Sequence, residues 1–224
     1  MELNYKTIFA KRKTLTITVE RDRSIVVTAP EGTAPEKIRQ LVESRKLWLY
    51  EKTRHVQKYD PLPHPPGKEL VTGESLPYLG RLYRIELVEG DGEIRFEQKF
   101  IVPRAHAGQS PAFRAWFIAQ AEEKILPRVA SHARNLGVAY KEAKIGQGKY
   151  RWGSCTPQDN VILNWRLIKA PMFVIDYVVV HELAHLIEQN HTPRFWNIVR
   201  SQAPGMDKAK AWLQKNGALL EQEL

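Results

Sequence analysis

The chain has 224 residues, 43% of them hydrophobic and 26% charged, which is a composition typical of a globular protein with a sizeable core. A single cysteine excludes an intramolecular disulfide framework and favours a reducing compartment. The net charge of +9 indicates either anionic partners, such as nucleotides, nucleic acid or acidic protein segments, or a generally basic surface.

Neither the first residues nor the most apolar run of the sequence is predicted to enter a membrane. Residues 1–6 lack the apolar stretch of a signal peptide. The most apolar run, residues 172–187, contains four polar or charged side chains and is too short to span a bilayer. We therefore expect a cytoplasmic protein without a membrane partner.

The first hundred residues are predicted to be rich in β-strands. Alternating apolar residues at 15–19 and 24–28 flank a turn at 21–23, which predicts a hairpin that ends at Pro30. A helix is predicted over residues 34–58, with an apolar face formed by Ile38, Leu41, Val42, Leu47, Trp48 and Leu49.

A linker and further strands are predicted next. Prolines are dense at 61–67, which argues against both helix and sheet there. Short strands are predicted at 69–71, 82–88 and 94–96, with a turn at 90–92 between the last two.

From Ser110 onward the pattern is helical. Apolar residues recur at helical spacing and form a core stripe, with Pro127 expected to kink or divide the helix. Strands are predicted at 144–145 and 161–163, ahead of a strongly apolar helix. The stripe consists of Phe113, Trp116, Phe117, Ala121, Ile125 and Leu126.

The apolar helix carries the motif H-E-x-x-H. His181 and His185 are four residues apart, so they lie on one helix face and can hold one metal ion. Glu182 lies beside them and can act as general base on a water at that ion. Two histidines and a glutamate in an apolar helix are costly to bury unless something compensates them, which favours a site over core histidines.

A third ligand is expected just after this helix. Thr192 is predicted as an N-cap and Pro193 as the first residue of another helix, so His191 lies in the turn between the two helices. Three histidines would leave a fourth tetrahedral position open for water, as in catalytic zinc sites. Glu188 replaces the glycine of the longer metzincin motif, which argues against a metzincin.

Several segments together resemble the YgjP-like metallopeptidase domain family, a bacterial group of small zincin-like proteins. The resemblance covers nearly the whole chain, and the pattern is also similar to SprT-type proteases, which act on protein crosslinked to DNA. The segments are Arg151–Cys155, Ile162–Asn164, Asp176–Leu186 and Asn190–Trp196, together with Gly73–Glu74 and Tyr78–Arg81.

The pattern of strands and helices, taken with the resemblance, predicts an α+β fold. It would have a β-rich N-terminal part with one helix, residues 1–105, and a zincin-like catalytic part, residues 106–224. The resemblance also implies a set of functional residues. The implied metal ligands are His181, His185 and His191, with Glu182 as catalytic base. Some members of this family are described as UTP pyrophosphatases, so a nucleotide substrate is also implied.

Basic residues near the motif bear on the substrate. Arg151 could stabilise an oxyanion or bind a phosphate or carboxylate, or it could form a surface ion pair. A pocket lined by Lys144, Lys149, Arg166 and Lys169 would favour phosphate substrates. Cys155 lacks an identifiable base and is interpreted as a packing or substrate-rim residue rather than a nucleophile.

The sequence therefore predicts a zinc-dependent hydrolase acting on peptide bonds. The alternative is a nucleoside triphosphate (UTP) pyrophosphohydrolase with the same metal site, although the chain has no Walker A loop and no carboxylate cluster for magnesium. A third interpretation is a binding module with structural zinc, against which the intact Glu182 and the open fourth position argue.

Overall fold

The computed structural model of the chain describes residues 4–19, 24–49, 70–148 and 151–221. Contacts divide the chain into two compact units, residues 1–61 and 62–224, and each is described by itself. The predicted linker at 61–67 lies outside the described residues, and the predicted division between residues 105 and 106 stays a prediction. In the described part, no helix is both long and apolar enough to cross a bilayer.

The first unit contains a three-stranded sheet covered by a helix. Its elements are β1 (Tyr5–Ala10), β2 (Thr16–Val19), β3 (Ile25–Pro30) and α1 (Pro35–Ser44), and the strand order is β1-β3-β2. β2 and β3 pair antiparallel, which confirms the predicted hairpin and its end at Pro30. β1 pairs parallel with β3. β1 was not predicted, because the apolar residues of its sequence YKTIFA do not alternate regularly with polar ones.

The helix predicted over residues 34–58 is interrupted at Arg45, and its predicted part at 50–58 lies outside the described residues. α1 ends at Ser44, because Arg45 leaves the helical conformation, and residues 46–49 are helical again. Ile38, Val42 and Leu49 are buried in the core of this unit, as predicted. The prediction was wrong for Leu47 and Trp48, which are 74% and 38% exposed.

The second unit contains two sheets. The first has the order β4-β5-β7-β6, formed by β4 (Ser75–Tyr78), β5 (Arg81–Val88), β6 (Arg95–Phe96) and β7 (Phe100–Pro103). The second has the order β8-β10-β9, formed by β8 (Glu142–Gly146), β9 (Gly153–Cys155) and β10 (Asn160–Asn164). β10 pairs parallel with β8 and antiparallel with β9.

Two details of these sheets differ from the prediction. No strand forms at Leu70 and Val71, because Leu70 adopts a left-handed backbone conformation with φ of 55° and its N–H binds the Glu74 side chain. Sequence analysis also missed β4, β7 and β9, which are only three or four residues long and too short to show a clear period.

The second unit also contains helices. Its α-helices are α2 (Ser110–Leu136), α3 (Met172–Ala184), α4 (Pro193–Gln202) and α5 (Met206–Glu221), and short 3-10 helices lie at Arg104–His106 and Trp165–Lys169. The predicted stripe on α2 is confirmed at its centre, where Phe113, Phe117, Ala121 and Ile125 are buried. Pro127 does not divide α2. It is exposed, so the carbonyl that loses its helical partner there can bind water.

α3 is the central helix of the second unit. Its sequence is apolar on every side, and it packs against α2, α4, α5 and strand β9. Its start is held by the β4–β5 turn, where Gly80 has φ of 82° and donates its N–H to the Lys169 carbonyl. A Cβ at Gly80 would lie 2.5 Å from Pro171 Cγ, so the turn and the first turn of α3 fit only with glycine.

Candidate metal centre

The end of α3 places the two motif histidines at the edge of the core. Val178, Val179, Val180, Leu183 and Ala184 are buried around the helix, whereas His181 and His185 are only half-buried. His185 is the C-cap residue, directly after Ala184. The apolar packing thus holds α3 in place. Because His181 and His185 are four residues apart, both imidazoles lie on the same face of the helix.

The structure brings the three predicted histidines together. His181, His185 and His191 each offer a ring nitrogen, and these atoms all lie within 4.8 Å of one another. The Nε2 atoms of His181 and His191 are 3.1 Å apart. Among the described residues, no other group of His, Cys, Asp and Glu side chains converges in this way.

The position of His191 depends on the start of α4. The Thr192 hydroxyl accepts a hydrogen bond from the Phe195 N–H at 3.3 Å, and Pro193 is the first helical residue, which confirms the predicted cap. The turn between α3 and α4 therefore ends at a defined point. His191, one residue before the cap, folds back onto α3 and reaches His181.

Glu182 lies buried against a strand. Its side chain is only 7% exposed. A Cβ on Gly153 would lie 2.6 Å from Glu182 Cγ and 2.8 Å from its Oε1, so the backbone of β9 is in direct contact with the carboxylate. The base predicted from the motif is thus enclosed between α3 and β9.

The surroundings of His191 favour its neutral form. Partial burial lowers the pKa of His191, and the nearby His185 and Lys210 lower it further. His185 Nδ1 lies 3.3 Å from the Glu188 carbonyl oxygen. With its ring proton on Nδ1, His185 donates to that carbonyl and keeps the Nε2 lone pair, which is the form that binds metals.

The charge of Glu182 contributes to the pKa of two other ionisable groups. Burial raises the pKa of Tyr177 to about 12, with contributions from Glu182 and Asp207. Burial also raises the pKa of the Cys155 thiol, and Glu182 and Asp159 add to the effect. Both side chains are therefore protonated at neutral pH, and Cys155 lacks the thiolate character of a nucleophile.

The histidine cluster fits a metal ion such as zinc. Two imidazole nitrogens bound to zinc at about 2.0–2.1 Å lie about 3.3 Å apart at tetrahedral angles. The separation of 3.1 Å between His181 Nε2 and His191 Nε2 is close to that value. Three imidazole nitrogens, with a buried carboxylate beside them, form the donor set expected of a catalytic site.

The other residues singled out by sequence have different surroundings. Arg151 has an exposed side chain, and its carbonyl accepts a hydrogen bond from Asn164 at 3.0 Å. Lys144 pairs with Glu142 at 3.6 Å. Lys169 is 1% exposed and donates to the Leu220 carbonyl, so it lies in the core and does not line an open phosphate pocket. Lys149 is outside the described residues.

Three residues that pack on the site were not assigned a role from the sequence. Tyr177 lies one helical turn before His181 with its ring edge-on at 5.9 Å, a neighbour that the spacing of four could have indicated. Gly153 has no signal in the sequence for its contact with Glu182. Phe195 lies in the segment that carries the family resemblance, and its ring contacts all three histidines.

The fold and the site together define a metal-dependent hydrolase with a zincin-like arrangement, in which an HExxH helix and a following histidine form the centre. The chain matches the YgjP-like metallopeptidase domain over residues 13–216, and it belongs to that family. This confirms the resemblance seen in the sequence.

Comparison with solved structures found two metallopeptidase zymogens, each 20% identical to this chain. Abylysin of Pyrococcus abyssi is similar over 41% of this chain and 96% of its own, with a TM-score of 0.35. Jannalysin of Methanocaldococcus jannaschii is similar over 40% of this chain and 93% of its own, with a TM-score of 0.37. Comparison with curated protein sequences gave no match.

Proposed function

We propose that this protein is a zinc-dependent peptidase whose ion is held by His181, His185 and His191, with Glu182 as catalytic base. The observation that carries the proposal is the convergence of three histidine nitrogens within 4.8 Å, next to a buried Glu182. Membership of the metallopeptidase family supports peptide or protein as the substrate.

In peptide hydrolysis the zinc ion and the protein side chains would have different roles. Zinc, when bound, supplies a Lewis acid that acidifies a water molecule and polarises the scissile carbonyl. The Glu182 carboxylate then takes a proton from the attacking water and passes it to the leaving amine. Its burial between α3 and β9 keeps bulk water away from the carboxylate and holds it in one position.

Strand β9 supports a peptide substrate. Among the described strands it pairs only with β10, so it lies at the edge of its sheet. An extended peptide can pair with such an edge. Because Gly153 of β9 contacts Glu182, a peptide on this strand would pass close to the base.

The nucleotide alternative has less support. A triphosphate would need cations turned toward the site. Of the basic residues considered from the sequence, Lys169 is buried in the core and Lys144 pairs with Glu142. No observation on the described residues favours UTP over a peptide, so the peptidase remains the proposal.

Two variants test the site in parallel. His181→Ala should lose most of its zinc, measured by elemental analysis of the dialysed protein, because two imidazoles hold the ion less tightly than three. Glu182→Gln should keep its zinc but hydrolyse casein about a hundred-fold or more slowly, because the amide cannot take a proton. Zinc retained by His181→Ala, or unchanged turnover in Glu182→Gln, would refute the assignment. Zinc-dependent UTP cleavage that is lost in Glu182→Gln, with no protein cleaved, would establish the alternative.

Arg151 is proposed as a substrate-binding residue. Its guanidinium is exposed two residues before Gly153, where it can meet a carbonyl or carboxylate of a bound peptide. Arg151→Ala should lower kcat for a peptide substrate more than it raises KM, with little dependence on salt. Arg104→Ala, at an exposed arginine that pairs with Glu89, is the control and should leave both constants unchanged. A large, salt-sensitive rise in KM would instead indicate a polyanionic substrate.

A further inference from the structure

The ring of His191 lacks a polar anchor among the described residues. Its only hydrogen-bond contact there is the one between its Nε2 and His181 Nε2, two atoms that would face the same ion. His185, by contrast, is held through Nδ1 by the Glu188 carbonyl. His191 is also the most exposed of the three histidines. Something else must therefore fix the plane of its ring before a metal binds.

Aromatic packing from α4 provides this restraint. The Phe195 ring is fully buried, with its centroid 4.9, 4.6 and 4.7 Å from those of His181, His185 and His191. The buried, apolar ring of Phe195 therefore packs against all three imidazole rings. Phe195 limits how far the histidine rings can move toward the core. It meets His191 edge-on, at an interplanar angle of 77°, and so does not fix the plane of the His191 ring.

Trp196 contacts the face of the His191 ring. The two rings are stacked, with centroids 5.4 Å apart and an interplanar angle of 24°. Trp196 is itself held from a second helix, because Lys210 Nζ of α5 lies 3.8 Å from its ring centroid. A cation over an indole face contributes about 0.5–1 kcal/mol when exposed and more when desolvated. The stack thus joins α5 to His191 through Trp196.

We propose that Trp196 is a positioning residue that preorients His191 for metal binding by stacking on its ring. This inference rests on the proposed metal site and adds to it a residue that need not touch the ion or the substrate. The physical reason is that a ligand already held in its bound orientation loses less rotational freedom when the metal arrives. Removing the stack should therefore weaken metal affinity while leaving the number of sites unchanged.

The experiment compares Trp196→Leu with Trp196→Phe. Leucine keeps the apolar bulk and so preserves folding, but it removes the flat ring, whereas phenylalanine keeps a ring that can stack. Zinc dissociation constants, measured by competition with a chromophoric chelator, should rise about ten-fold or more for Trp196→Leu and less than about three-fold for Trp196→Phe. Trp212→Leu is the matched control, since Trp212 is also half-buried, lies on α5 and should not affect zinc affinity.

A double-mutant cycle separates positioning from general packing. In a His191→Ala background, Trp196→Leu should weaken zinc binding much less, because the stacked ring is absent and only the tilted contact with His181, with centroids 5.8 Å apart, remains. The absorption spectrum of the cobalt-substituted protein should change in Trp196→Leu and be restored in Trp196→Phe. Equal weakening by Trp196→Leu in both backgrounds, or unchanged affinity in the wild-type background, would overturn the inference.

The outcomes distinguish this inference from the proposed metal site. If His181→Ala loses zinc and Trp196→Leu does not, the site stands and only the role of Trp196 fails. If His181→Ala and His191→Ala both keep full zinc affinity, the metal site itself is wrong and the inference fails with it.

Discussion

Glu182 and Gly153 show how closely the site depends on single residues. The carboxylate fits against β9 only because residue 153 has no side chain. A methyl group at that position would overlap Glu182 Cγ and Oε1, and both lie within a packed region that cannot simply move away. The position of the base is therefore set from the strand as well as from the helix.

Replacing Gly153 should separate metal binding from catalysis. Gly153→Ala is expected to displace the Glu182 carboxylate and to lower kcat for casein about ten-fold or more, while the zinc content stays at one ion per chain. The measurements are steady-state kinetics and elemental analysis. Gly148→Ala is the matched control, because a Cβ there meets no atom within 4 Å. Normal kcat in Gly153→Ala would show that the contact does not hold the base.

The sequence predicted which residues form the candidate site, but it predicted few of the contacts that hold them. His181, Glu182, His185 and His191 follow from motif spacing, because helical geometry relates neighbours three or four residues apart. The contact between Gly153 and Glu182, across 29 positions of sequence, has no such rule. Nor does the stacking of Trp196 on His191 follow from a period, since it depends on how the turn between α3 and α4 closes.

The pairing of α2 with α3 rests on a half-buried polar cluster in addition to apolar packing. Asp176 of α3 accepts hydrogen bonds from Arg128 Nε and, at 2.6 Å, from Arg128 Nη2, and it lies 3.1 Å from His132 Nε2. These contacts join Asp176 to α2, so its role is to hold the helix that carries the motif.

Removing the Asp176 charge should reduce stability in a pH-dependent way. Burial raises the pKa of Asp176, but hydrogen bonds and charges from His132 and Arg128 bring the pKa below its usual value. Because the pKa is lower in the folded state, this carboxylate stabilises the fold above its unfolded pKa of about 3.9, and the effect is lost as pH falls through the folded value. Asp176→Asn should lower the free energy of unfolding by about 1–2 kcal/mol at pH 7.

Urea unfolding at several pH values tests this expectation. The difference between wild type and Asp176→Asn should shrink as pH falls below about 4, because wild-type Asp176 then also becomes neutral. Glu123→Gln is the control: Glu123 is exposed and pairs with Lys124 on the same helix, so little change is expected at any pH. A difference that stays constant with pH would assign the effect to packing instead of charge.

The whole molecule consists of two units with separate cores. The first unit has its own core of Ile25, Val27, Ala29, Ile38, Val42 and Leu49. The second holds the metal centre, whose helix is surrounded by residues of that unit. Because apolar burial is the main stabilising term, each core should respond chiefly to substitutions within it.

Local unfolding should reveal this division. Val27→Ala removes two methyl groups from a fully buried side chain and should destabilise the first unit by about 2 kcal/mol. Amide hydrogen exchange should then rise roughly 30-fold in β3 and stay unchanged in α3, with zinc content unaffected. Val179 of α3 is also fully buried, so Val179→Ala should raise hydrogen exchange in α3 and leave it unchanged in β3. Equal acceleration in both units for both variants would show that the chain unfolds as one cooperative body.

The sequence by itself determined the class of fold and the family, and it predicted the three histidines that the structure brings together. These depend on local rules: motif spacing on one helix, the Thr192–Pro193 cap, and apolar periods long enough to read, as in α2 and in the β2–β3 hairpin. Only the tertiary structure decided which strands exist where periods are short, that Lys169 lies in the core, and that β9 covers Glu182. Those features arise from contacts between residues far apart in the chain, whose free energy depends on the shape of the packed interior and not on any local pattern.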